Sequence, residues 1–259
     1  GSDTPPPPAR AQCVLDKAAG PLPPGGTVRM LPPVWTLLHG PVDPGTSSVY
    51  CDTTVTISGT QSLYNVYLSG GAHTVTGGDV LTALGTLTLD NGTIDVGTIA
   101  GSGPIIQLST FDGGTGVLAI TGGANHTFTG SASNAVGNLP DVQFNTSGGK
   151  LTLAGTILTT NDWTHLAGTV DPDGSTVVFA GALSIDAGSM PFNDVLVNAG
   201  TATLLDNLTV NGNLTVAAGT LAIGSHTVFA AGDVTVNAAP TPTTGLLDMN
   251  GLTGQTLGG

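Results

Sequence analysis

The chain has 259 residues, with 40 glycines, 17 prolines and a formal charge of −13 from seventeen aspartates, no glutamate and four basic residues, Arg10, Lys17, Arg29 and Lys150. That balance repels nucleic acid and anionic membranes, and Lys150 alone lies in the repetitive part, so no phosphate-contacting patch can be assembled and no direct membrane insertion is expected. The glycines follow no three-residue period, which excludes collagen, and the absence of a long 3.6-residue apolar stripe nearly excludes helix.

Residues 1–12 contain Pro5-Pro6-Pro7-Pro8 and read as an extended Pro-rich tail or linker. Residues 13–54 hold Trp35, further proline clusters and both cysteines, with little periodic pattern. They are expected to form an irregular N-terminal cap over the hydrophobic end of a stack of strands. A Cys13–Cys51 disulfide would close a loop of about 40 residues and stabilise by roughly 3 to 4 kcal/mol. Two free buried thiols are the alternative.

Between residues 55 and 240 the texture becomes regular. Val66-Tyr67-Leu68, Leu87-Thr88-Leu89, Leu151-Thr152-Leu153, Leu183-Ser184-Ile185, Leu214-Thr215-Val216 and Val234-Thr235-Val236 alternate apolar, polar, apolar, the period of a half-buried strand. Asn91-Gly92, Gly122-Gly123, Asp173-Gly174 and Asn211-Gly212 supply corners between them. The segments are too short and too numerous for a comfortable sandwich, and they suit the faces of a coil. The fold expected is all-β, a parallel β-solenoid, with residues 241–259 as a C-terminal tail or last coil.

Leu63-Tyr64-Asn65-Val66-Tyr67-Leu68, Leu139-Pro140-Asp141-Val142-Gln143-Phe144 and Phe192-Asn193-Asp194-Val195-Leu196-Val197 share one pattern: apolar, any, Asn or Asp, apolar, any, apolar. They suggest a long repeat of two to three coils, with an inserted coil near residues 100–125. The last of these segments, with Asp206-Asn207-Leu208-Thr209-Val210-Asn211-Gly212-Asn213-Leu214-Thr215-Val216 and Ala218-Gly219-Thr220-Leu221, resembles bacterial extracellular parallel β-helix repeat proteins of the adhesin, passenger or surface-fibre type. The resemblance implies an extracellular or cell-surface structural or adhesive protein. It carries over no active-site motif and does not reach the first 50 residues.

The expected partners are further copies of the chain or other surface proteins, with a glycan as another candidate. Tyr64, Tyr67, Leu196 and Ala222 occupy nominally outward positions and are the candidate assembly surface. The enzymatic alternative is a carbohydrate-active β-helix, which as a hydrolase needs two carboxylates roughly 5 to 9 Å apart. Asp141, Asp162, Asp171, Asp173 and Asp194 are the candidates, but the near absence of Lys and Arg removes the usual stabilisers of an acidic sugar's developing charge. Asp171-Pro172-Asp173-Gly174 has the look of a calcium-compatible turn, against the plainer reading of a surface turn capped by Asp; no other cofactor is expected. His39, His73, His126, His165 and His226 show no metal-ligand spacing.

Overall fold

A computed structural model describes residues 13–15, 22, 24–30, 34–37, 42–237, 244–252 and 254–259; of 13–15 and 34–37 it describes the backbone. The described residues contain strands and no α-helix, and the strands pair in parallel. The chain winds as a β-solenoid with three faces.

On the first face Leu81, Ile99, Leu118, Val142, Trp163, Ile185 and Leu204 lie one above another in register. The second face stacks Val28, Val49, Val66, Leu87, Ile105, Phe128 and Leu153. The third stacks Ile157, Val177, Val195, Leu214 and Val234. One coil takes about 20 residues there. Apart from Val28 these side chains are buried and form one continuous core.

The alternation in the sequence is what makes this geometry. In Leu214–Val216 the first and third side chains enter the core and the threonine between them faces out, while the backbone bonds run from coil to coil. A single coil has no partner for its backbone or its apolar side chains, so stability comes from stacking, at about 25 cal/mol per Å² of apolar surface removed from water. Glycine is required where corners stack most closely. Gly219 has φ +78°, and a Cβ on it would lie 2.4 Å from the Gly200 carbonyl oxygen.

The parallel stacking reaches back into residues 13–54. Val28 pairs with Val49, and Cys13 with Trp35, which pairs in turn with Ile57. Within 241–259, Leu247 pairs with Val228 and Leu257 with Val234, so the coil continues there.

Two expectations need correcting. The Cys13–Cys51 disulfide is not formed: Cys51 is a free, buried thiol with its Sγ 3.6 Å from Met30 Sδ. Cys13 stands in the third-face column and Cys51 in the second. Chain separation sets the loop entropy of a crosslink, but it carries no information on which face each residue reaches. The long repeat is also absent. Val66, Val142 and Val195 of the three matching segments sit on the second, first and third faces respectively, and residues 99–118 form an ordinary coil.

Candidate functional site

What the three segments share is a corner, built the same way on each face. Asn65 Oδ1 accepts the backbone N–H of Thr86 at 2.9 Å, Asp141 Oδ1 that of Asp162 at 3.1 Å, and Asp194 Oδ1 that of Asn213 at 2.7 Å. Each acceptor reaches one coil along the stack. The ladder then propagates: Asp162 accepts from Ser184, Asn213 from Asp233, and Asp233 from Thr256. Asn125 and Asn207 do the same for Lys150 and Thr227. These bonds tie down N–H groups at corners and at the ends of ladder segments.

This ladder bears on the carboxylates offered as catalytic candidates. Asp141 and Asp162 come together at adjacent coils, and burial, with the nearby Asp162 charge, holds the Asp141 carboxyl above the usual range. Each nevertheless has an oxygen committed to the next coil. Asn65, Asn125, Asn207 and Asn213 fill the same role without charge, so the role needs an acceptor oxygen and not a titrating acid. Asp194 stands two coils further along, on another face.

Asp171 and Asp173 do share a turn. One Asp171 carboxylate oxygen accepts from Lys150 Nζ at 2.6 Å and the other from the Asp173 backbone N–H at 3.1 Å. The Lys150 ammonium holds the Asp171 carboxyl below its ordinary range, and Asp173 takes a left-handed φ of 42°. Both Asp171 oxygens are thus engaged within the protein. Among the described residues no group of three or more His, Cys or Asp side chains could hold a metal ion.

The histidines stay apart. His39 lies outside the described residues. His73 points into the core with neither ring nitrogen hydrogen-bonded, and burial pushes its pKa down to about 4. His126 and His165 bond to the carbonyls of Ala124 and Gly168, and His226 sits in a turn closed on Ile223.

Tyr64, Tyr67, Leu196 and Ala222 are all half-buried, and they are spread over the faces instead of forming one patch. Tyr67 stacks on Tyr50 with ring centres 4.3 Å apart and planes 8° from parallel, and the Arg29 guanidinium lies 5.3 Å from the Tyr50 ring centre. Arg29 also pairs with Asp52. Leu196 is the member of the four that borders a concave site.

That site is on the outside of the third face. Leu158 and Val178 occupy outward positions, between the inward Ile157 and Thr159 and the inward Val177 and Phe179. They are nonetheless 1% and 0% exposed, and they are not part of the central core. Residues 132–137 explain this. The Ala132 N–H donates to the Thr156 carbonyl, and Asn198 Nδ2 donates to the Asn134 carbonyl at 2.8 Å, two coils beyond. The segment therefore crosses the outside of the face, over Leu158 and Val178. Its fold is closed on itself: the Ser133 N–H donates to the Val136 carbonyl, and Ser133 Oγ accepts from the Ala135 and Val136 N–H groups. Gln107, reaching out from the core, donates to the Gly137 carbonyl.

Where this loop ends, a groove of 450 Å³ begins. Asn134, Thr176, Asp194, Asn198, Asn213 and Thr215 supply its polar lining, and Leu196, Val195 and Ala217 its apolar part. None of these was singled out as a binding group from sequence except Leu196, as an assembly residue, and Asp194, as a carboxylate. The available signal was the break in alternation at Ile157-Leu158 and Val177-Val178-Phe179, where an outward apolar residue demands a cover.

No protein-family model matches the chain, and neither a curated protein nor a solved structure is significantly similar to it.

Proposed function

We propose that the chain is an extracellular structural or adhesive module, a stiff rod that holds an uncharged surface against a neutral, hydroxyl-rich material. The observation that carries this reading is the outward row of the first face, where Ser62, Thr82, Ala100, Ala119, Gln143 and Thr164 stand in register on successive coils. Over these six coils the row is uncharged and every side chain in it except Gln143 is short; Ala100 is itself buried, and the next coil adds Asp186 to the row. The charge inventory points the same way. Both described basic side chains, Arg29 and Lys150, are engaged with Asp52 and Asp171, while the net charge is −13. Such a surface repels polyanions and other copies of itself and is indifferent to a neutral polymer. The carbohydrate-active alternative draws less support, because Asp141 and Asp162, carboxylates brought together at adjacent coils, are engaged in the corner ladder.

Beads coated with the protein and passed over films of cellulose, mannan and dextran test the proposal. Retention on at least one neutral film, unchanged between about 0.1 and 1 M salt, is expected, since salt screens only charge. Failure on all three films, or retention on charged films alone that salt abolishes, would reject it.

A further inference from the structure

We infer that the groove beside residues 132–137 is the specific binding site of the rod, and that its ligand is a neutral oligosaccharide. This rests on the adhesive reading above and names the place and chemistry of contact.

The groove is a built feature. Residues 132–137 are held at Thr156, at Asn198 and, through Gln107, at Gly137, and they bury two outward apolar side chains on the way. The loop closes on its own Ser133 hydroxyl and backbone. Its shape therefore exists before any ligand arrives, which lowers the ordering cost of binding. The 450 Å³ volume lies within the range of small-molecule sites, about 300–1,000 Å³.

The lining selects the ligand class. Asn198, Asn213, Thr176 and Thr215 present amides and hydroxyls, groups that both donate and accept, as vicinal sugar hydroxyls also do. Asp194 gives one oxygen to the Asn213 N–H and adds a carboxylate acceptor. Leu196 and Ala217 offer an apolar strip for the C–H face of a sugar ring. The lining has no basic side chain, so nothing offsets the Asp194 charge against a phosphate, sulfate or uronate. A peptide strand would need an unpaired sheet edge or a deep apolar pocket. Neither is offered, because the strands under the groove, Thr176–Phe179, Asp194–Val197 and Leu214–Val216, are paired with one another in sequence along the third face.

The test is a set of titrations followed by backbone amide NMR on the full chain, with cellotetraose, mannotetraose, maltotetraose and a tetragalacturonate. At least one neutral tetrasaccharide should shift the amides of Asn134, Leu196, Asn198 and Thr215, and the acidic one should shift none of them. Thr215→Arg places a long cation in the groove from an outward position and should weaken binding by at least about tenfold, about 1.4 kcal/mol. Thr235→Arg, one coil further along the same row, should leave binding unchanged. The site is overturned if no neutral tetrasaccharide moves the groove amides, if both variants bind as the parent does, or if the tetragalacturonate or a peptide binds there instead. Beads that still hold to a neutral film when the groove amides stay still would place adhesion elsewhere on the rod. Loss of bead retention as well would remove the adhesive reading itself.

Discussion

The middle coils and the early coils fill the same three-sided cross-section in different ways. In the middle, Phe144, Trp163, Phe179 and Phe192 meet inside the solenoid. The Trp163 ring centre lies 4.7, 5.9 and 6.0 Å from those of the three phenylalanines. In the early coils Val49, Ile57, Leu68 and Val75 do the work, and they share the interior with the unbonded imidazole of His73. Strands stacked in register on three faces leave a nearly fixed interior, so volume added on one face must be balanced on another. The aromatic layer is tightly determined by its neighbours. The His73 layer depends on the imidazole remaining neutral.

The sharpest way to break this contrast is Trp163→Ala. Removing the ring at the centre of four aromatics should cost about 3–5 kcal/mol, read by urea denaturation. A loss below about 1 kcal/mol would mean that the layer collapses freely, and the contrast with the early coils would go.

His73 provides the next test. Its folded pKa of about 4 lies below the ordinary 6.5, so the unfolded chain takes up the proton first as pH falls. The stability contribution is complete above pH 6.5, declines between 6.5 and 4, and is gone below 4; its size is roughly 3 kcal/mol. Denaturation at several pH values across that window should show the decline, and His73→Leu should flatten it. An unchanged slope in the variant would place the sensitivity elsewhere.

The corner ladder makes a finer distinction, because it is common to both regions. Asp141→Asn keeps an acceptor for the Asp162 N–H and should leave the melting temperature within error, whereas Asp141→Ala should cost about 1 kcal/mol. Equal losses for both would give the carboxylate charge a role of its own. The smallest effect is expected at the surface turn: Lys150→Ala breaks an exposed ion pair with Asp171 and should leave the melting temperature unchanged.

The fold was legible because alternation in segments such as Leu87-Thr88-Leu89, broken by glycine corners, admits few arrangements other than stacked coils. The corner ladder was half legible. The Asn or Asp before each apolar pair was visible, but it looked like a long repeat, because a corner used on all three faces recurs without regard to which face follows. Face identity depends on how much chain each intervening corner takes up, and the coils differ in length. The unformed disulfide has the same origin. The groove was least legible. The bond from Asn198 to Asn134 spans 64 positions, and nothing local to either residue announces it. Only the apolar runs at Leu158 and Val178 signalled that something must lie over the third face.

The central claim is that the exterior of the rod addresses a foreign, uncharged surface and not further copies of the chain. The absolute mass in solution, measured by light scattering behind a sizing column at low and high salt and with added calcium, tests it most directly. A single-chain mass under every condition is expected from an acidic exterior whose described basic side chains are already engaged. A defined oligomer or growing polymer, stable at low salt where like charges repel most, would contradict the claim and assign the outward faces to self-assembly.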